Sequence, residues 1–265
     1  MDSPTSPKKL TLKALSLRYS SWSMRPWLAL TQAGLEFSTD TVTLAHMMDP
    51  SSQTTTNLKE RRRLGSVRGL FPVLQVAAVA PDDDTKKEEE EEEEETTTTW
   101  IHESLAICEY AADLCPEANL WPKSPTERAR ARALSCEMMT GFPSLRDECS
   151  CAMFARVPSF QSAPTTLKDI GRVFEIWSEC LEHSGGPFLF GYHFGIVDCM
   201  YYPVITRFRT YGIELPTAQI KSYVEAVEKA PAVQKLVALA RQEPTITIYD
   251  DYIRKLGGDP RGAML

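Results

Sequence analysis

The sequence of 265 residues predicts an α/β segment followed by an all-α segment. Two observations carry this reading. Up to about residue 110, short runs with strand-like alternation are interleaved with runs at helical spacing, whereas beyond it every periodic stretch is helical. Between the two lies Cys115-Pro116 to Pro125, a proline-punctuated linker. The expected division is a loose, disordered tail over 1–9, an α/β domain over 10–115, the linker over 116–124, and a helical domain with a C-terminal tail over 125–265.

Each element has its own signal. Leu10 to Tyr19 alternate and read as a first strand. A hydroxyl-rich turn, Ser20-Ser21-Trp22-Ser23-Met24-Arg25-Pro26-Trp27, then leads into a helix that Gly34 stops. Pro26 suits the first turn of that helix, where a missing N–H costs nothing. Phe37 to Leu44 is the second strand, and His46 to Arg68 a polar loop with room for one short helix. Leu70 to Val76 is the third strand, with Pro72 near its entry. Trp100 to Glu103 is the fourth, antiparallel to the third. The intervening 80–99 is acidic and threonine-rich, has nothing apolar to offset its ordering entropy, and is expected to be disordered. Leu105, Cys108, Ala112 and Cys115 recur at helical spacing. Helical patterns follow over 126–139, 141–154, 167–183, 198–211, 219–229 and 232–241. Ser124 before Pro125, with Glu127 at the capping-box offset, marks the start of the first.

The net charge of −7 is misleading. Asp82 to Asp84 and Glu88 to Glu95 supply −11 and Lys86-Lys87 return +2, so the remainder carries +2. A nearly neutral folded part gives no electrostatic case for a nucleic acid or a membrane surface. Arg61-Arg62-Arg63 reads as a solvated face. No apolar run is long enough to span a bilayer, and Met1 to Lys9 lacks the apolar centre of a signal peptide. Seven cysteines without a C-x-x-C or a histidine pair fit reduced thiols in the cytoplasm, with no metal site.

Glu103-Ser104 stands where the fourth strand passes into a helix. Serine is a favoured N-cap, and the amides of a first helical turn can hold an anion such as a carboxylate.

The order β-α-β-loop-β-β-α, a linker and then helices resembles the thioredoxin-like plus helical architecture of cytosolic glutathione transferases, over roughly residues 10 to 242. Phe71-Pro72 resembles that family's cis-proline dipeptide and Glu103-Ser104 its γ-glutamyl-binding pair. Ser20-Ser21-Trp22-Ser23-Met24-Arg25 resembles the serine-type catalytic turn of zeta-like members. Glu137 to Arg146 and Thr206 to Gly212 look like segments of bacterial and fungal members of that group.

The resemblance implies a fold, β-α-β-α-β-β-α with a C-terminal helical bundle, and glutathione as co-substrate without a metal. Phe71 would pair with the cysteinyl backbone, Ser104 would take the γ-glutamyl carboxylate, and Glu103 would offset the α-ammonium. Ser20 is the first candidate for the hydroxyl on the thiolate; Ser21 and Ser23 are rivals, Ser23 at a cap-like position. Lowering a thiol pKa of about 8.5 by two units takes roughly 2.7 kcal/mol. Trp22, Phe142, Arg146 and Cys149, with Met153, are candidates for the second-substrate pocket, although a core stripe explains the apolar members equally well. Arg146 suits an anionic or enolic electrophile. Arg25 is expected to pair with a buried carboxylate at the domain boundary, and His102 to be satisfied locally.

Two departures stand out. The zeta pattern has Cys where this chain has Trp22, which argues against an ordinary maleylacetoacetate isomerase. The family's buried capping box reads Gly195-Ile196-Val197-Asp198 here. The implied activity is conjugation of glutathione to a small hydrophobic electrophile by a homodimer. The alternatives are a glutathione-dependent isomerase or lyase, which returns glutathione, and a catalytically silent binding protein of the same fold.

Overall fold

A computed structural model of the chain describes residues 8–42, 54–78 and 98–263. Strands β1 (Lys8–Ala14), β2 (Ser38–Thr41), β3 (Val73–Ala78) and β4 (Thr98–His102) form one mixed sheet in the order β2-β1-β3-β4. β2 runs parallel to β1, and β1 to β3 and β3 to β4 are antiparallel. The register pairs Leu12 with Leu74 and Leu74 with Ile101. Leu10, Leu12 and Ala14 alternate onto a buried face, while Val73 and Leu74 of the central strand β3 are both buried.

Helix α1 (Ser21–Gln32) is the pivot of the fold. Its residues from Ser23 to Leu30 are all buried, because it packs on α3 (Ser104–Leu114) and, across the chain, on α7 (Ile196–Tyr211) and α9 (Pro231–Gln242). A short α2 (Thr54–Arg63) lies within the segment read as a polar loop with room for one short helix. The named elements of the C-terminal half are helices: α4 (Pro125–Thr140), α5 (Pro143–Glu148), α6 (Pro164–Ser184), α7, α8 (Ala218–Lys229), α9 and α10 (Thr247–Lys255). Its core is aromatic. Trp177 lies 5.6 Å from Phe208, 6.2 Å from Tyr201 and 5.3 Å from Tyr223, in tilted and edge-on pairings.

Several boundaries differ from expectation. β1 begins at Lys8 and ends at Ala14, so Lys8 and Lys9, assigned to the tail, pair with Ala78 and Ala77. Residues 15–19 leave the sheet because other groups take their amides. Pro26 is inside α1 rather than in its first turn, since the helix starts at Ser21. β4 starts at Thr98, two residues earlier than expected, drawn in by pairing with Ala77. The helix expected over 141–154 is only the six residues of α5, which ends at Cys149 with non-helical backbone. α10 occupies what was read as a generic tail. The rest of the acidic 80–99 segment, and most of the tail over 1–9, lie outside the described residues.

The Gly195–Asp198 box forms as expected. The buried Asp198 accepts from the Gly195 amide at 2.9 Å and the Leu189 amide at 3.1 Å. Burial pushes its carboxyl up to about 6 while those two amides pull it back. Glycine serves at the cap because a Cβ there would sit 2.9 Å from the Leu120 carbonyl. Asp198→Ala strips two buried amides of their acceptor and is expected to cost about 2–4 kcal/mol, measured as the shift in the urea unfolding midpoint at constant m.

Candidate active site

The turn between β1 and α1 is built by one carboxylate. Glu243, the residue that closes α9, accepts from the Leu17 amide at 3.0 Å, the Arg18 amide at 3.1 Å and the Ser16 hydroxyl at 2.6 Å. Ser16 Oγ in turn accepts from the amides of Arg18 and Tyr19. With those donors taken, the chain cannot extend β1 to Tyr19. The Tyr19 hydroxyl donates to Asp250 of α10 at 2.7 Å, and its ring stacks on Tyr249 at 5.1 Å. The helical half therefore grips the turn from beneath.

This turn delivers Ser20 as the N-cap of α1. Ser20 Oγ accepts from the Ser23 amide at 3.2 Å and from the Ser23 hydroxyl at 3.0 Å. A serine hydroxyl has two acceptor positions and one proton; both acceptor positions are filled, so the Ser20 proton is left to point elsewhere. Ser23 is not the cap. It is fully buried, with its oxygen accepting from the Leu15 amide at 3.2 Å. Ser21 is buried beside Arg207, whose Nη2 approaches its hydroxyl at 3.5 Å.

Proline inside α1 has a structural consequence. Pro26 has no N–H to give the carbonyl four residues back, that of Trp22. Ser104, at the first position of α3, donates to that carbonyl at 2.8 Å. Ser104 is therefore a helix-to-helix donor and not the N-cap. The cap is Glu103, held at φ 73° with no side-chain bond to the helix, and its carboxylate lies 3.5 Å from Arg68. The Phe71–Pro72 peptide is cis, as expected.

Two neighbouring cavities meet at Trp22, Leu70 and Phe71. The first, about 270 Å³, is walled by Trp22, Phe71, Pro72, His102, Glu103 and Ser104. The second, about 320 Å³, lies between the two halves of the chain and is reached by Ser20, Ser21, Trp22, Arg146, Arg207 and Tyr249. Of the residues expected at the site, Ser20, Ser21, Trp22, Phe71, Pro72, Glu103, Ser104 and Arg146 thus line one cavity or both. Ser23, Phe142 and Cys149 line neither. Phe142 is a buried residue at the entry to α5, and Cys149 is buried in the core, its thiol pushed up to about 12 chiefly by that burial.

The residues missed from the sequence include Arg207 and Cys151. Ile246 and Tyr249, within the 245–256 stretch expected to contribute to the second-substrate pocket, do line this cavity. Tyr19 also reaches the cavity, but burial and its bond to Asp250 push its phenol up, so it stays a neutral donor committed to Asp250.

Arg25 is fully buried at the junction, as expected, but without the expected carboxylate. Its Nε donates to the Met200 carbonyl at 3.1 Å, its Nη1 and Nη2 have no partner, and it lies 4.6 Å from the Trp22 ring centroid. Burial, with Arg207 and Arg146 nearby, pushes it down to about 9, still a cation at neutral pH. Among the described residues no three His, Cys, Asp or Glu side chains cluster as metal ligands. No helix among them is long and apolar enough to cross a membrane.

A four-stranded sheet domain joined to a helical domain, with a serine-capped helix and a cis-proline loop at their junction, defines a thioredoxin-like two-domain transferase fold. The chain matches the model of the glutathione S-transferase N-terminal domain over residues 19–114 and that of the C-terminal domain over 155–237. It belongs to the cytosolic glutathione S-transferase family.

Human glutathione S-transferase omega-2 is 29% identical over 147 residues, 55% of this chain and 54% of that protein. The rat omega-2 protein is 25% identical over 146 residues, 55% of this chain and 53% of that protein. The chain spans about half the length of the curated relatives it matches. Three solved structures share the fold. A glutathione transferase homolog from Burkholderia, crystallised with bound glutathione, has a TM-score of 0.59 at 20% identity, covering 89% of this chain and 100% of that one. Omega 2S from Trametes versicolor gives 0.57 at 19%, covering 94% and 99%. Maleylacetoacetate isomerase from Anaeromyxobacter dehalogenans gives 0.59 at 21%, covering 91% and 95%.

The Ser104 bond to Trp22 is separable by mutation. Ser104→Ala is expected to lower the unfolding free energy by about 1–3 kcal/mol, the cost of a buried unpaired carbonyl. In a Pro26→Ala background the cost should shrink, because the substituted alanine supplies the missing N–H. A urea double-mutant cycle measures this, and zero coupling would refute the assignment.

Proposed function

We propose that this protein is a glutathione S-transferase of serine type that conjugates the glutathione thiolate to an electrophile held in the adjoining cavity. The observation that carries the proposal is the Ser20 hydroxyl, whose acceptor positions are filled by Ser23 and whose proton is free for an anion at the mouth of α1. In this reading the tripeptide lies along the first cavity. Phe71 and Pro72 flank its cysteinyl segment, the backbone amides at the start of α3, that of Ser104 among them, take the γ-glutamyl carboxylate while the Ser104 hydroxyl stays on the Trp22 carbonyl, and Glu103 faces the α-ammonium. Its sulfur then reaches Ser20 at the seam between the cavities, with Ser21 as the second hydroxyl in reach.

The chemistry asked of the chain is modest. A charge-assisted hydrogen bond and the positive end of α1 together supply the roughly 2.7 kcal/mol that brings a thiol pKa from about 8.5 to about 6.5. Residues 10–115 form the glutathione-binding domain, 125–265 supply the second-substrate wall, and the working form is a homodimer. A cytoplasmic setting suits seven cysteines that are all unpaired thiols.

The test is an ultraviolet titration of the bound thiolate together with steady-state kinetics. Ser20→Ala is expected to raise the bound thiol pKa by about one to two units and to lower kcat/KM about 100-fold or more, with Ser21→Ala losing less. An unchanged titration in Ser20→Ala removes that residue from the role. Mass spectrometry of the product separates conjugation, which retains the glutathionyl mass, from isomerisation or elimination, which returns free glutathione. Glutathione binding without any thiolate signal would mark a silent member.

A further inference from the structure

The second cavity is lined on one side by cations that have no anion. Arg207, 5% exposed, gives Nε to the Cys149 carbonyl at 2.8 Å, Nη1 to the Pro203 carbonyl at 3.1 Å, and Nη2 to the Ser21 hydroxyl at 3.5 Å. Arg146 gives Nη1 to the Met139 carbonyl at 3.0 Å and Nη2 to the Gly141 carbonyl, and lies 5.7 Å from the Trp22 ring centroid. Behind them, Arg25 has two unpartnered nitrogens. Every protein partner these three guanidinium groups have is neutral, and none is in an ion pair among the described residues. The more exposed Arg132, Arg172 and Arg209 are each paired with a glutamate at 2.7–2.8 Å. Arg207 and Arg25 are buried and Arg146 half-buried, and the three lie at this junction without a carboxylate partner, the reverse of what desolvation favours.

From this we infer the substrate class of the cavity, resting on the transferase reading above: an electrophile with a flat apolar body and a carboxylate, the carboxylate on Arg207 and Arg146 and the reactive carbon toward Ser20. The guanidinium fork matches a carboxylate in a way it does not match a single sulfur. The aromatic rings of Trp22, Tyr19, Phe71 and Tyr249, which line the same cavity, suit a planar body between the two ends. The expectation of a merely hydrophobic electrophile is narrowed accordingly.

A pair of aryl chlorides tests this, 4-chloro-3,5-dinitrobenzoate and its neutral methyl ester. In either, sulfur bonds to the carbon that carried chlorine, chloride leaves with the bonding pair, and the thiol proton passes to solvent. For the wild-type protein kcat/KM is expected to favour the acid over the ester by about tenfold or more. Arg207→Gln and Arg146→Gln should each cut that ratio by about tenfold, and Arg207→Lys should restore part of it. Should either variant fail to fold, competitive inhibition of the wild-type protein serves instead, with 3,5-dinitrobenzoate expected to bind about tenfold more tightly than 3,5-dinitrobenzamide. Equal use of acid and ester, or equal inhibition by benzoate and benzamide, overturns the inference while leaving the transferase reading intact. So does an arginine variant that slows both substrates equally and raises the thiolate pKa, since the cations would then serve the sulfur. Absence of thiolate formation and of turnover with either chloride defeats the transferase reading itself, and this inference with it.

Discussion

The contact on which the site depends is that between Glu243 and the turn before α1. A backbone segment that leaves a sheet must place its amides somewhere, and here a carboxylate from the end of α9 takes two of them together with a serine hydroxyl. Ser16 shares that carboxylate and itself accepts from Arg18 and Tyr19, and its carbonyl receives the Ser20 amide at 3.0 Å. The position of Ser20 is consequently set from the far end of the chain. A thioredoxin-like unit by itself would hold the sheet and α1, but not the geometry of the turn that joins them.

The same junction collects the charges. Arg25 from α1, Arg146 from α5 and Arg207 from α7 converge around Trp22 and Ser21, each bonded to carbonyl or hydroxyl oxygens. Helical packing accounts for the elements being there, since α1 fits between α3 and α7. It does not account for three cations at one junction, two of them buried, where apolar side chains would pack at lower cost. That mismatch between packing and electrostatics separates a functional wall from a structural one.

Much of this was legible in the residues. Alternation gave four strands, the 3.6 period gave most of the helices, and Phe71-Pro72, Glu103-Ser104 and the serine-rich turn pointed to the cavity walls. What could not be read were arrangements decided by distant partners. Leu15 to Tyr19 alternate like a strand, yet Glu243, more than 220 residues away, takes the Leu17 and Arg18 amides, and the hydroxyls of Ser23 and Ser16 take those of Leu15 and Tyr19. Ser23 looks like a cap because it precedes apolar residues, but Ser20 caps and Ser23 supports it from the core. Phe142, Cys149 and Met153 share a helical spacing that suggested a pocket face, but α5 stops at Glu148, so those positions do not lie on one continuous helix. Arg25 was rightly placed at the boundary, but its missing counter-charge could only be seen in three dimensions.

The β3–β4 pair has a consequence of another kind. Its ladder runs out to Ala77 opposite Thr98, so the two chain ends that carry the acidic stretch are brought within one strand spacing of each other by the sheet alone. Loop-closure entropy rises only logarithmically, about 0.6 kcal/mol per doubling of length. The edge of this sheet is therefore a port at which sequence can be lengthened, shortened or exchanged at little thermodynamic penalty, and natural drift or an engineer's cassette can occupy it without disturbing the chemistry on the opposite end of the strands.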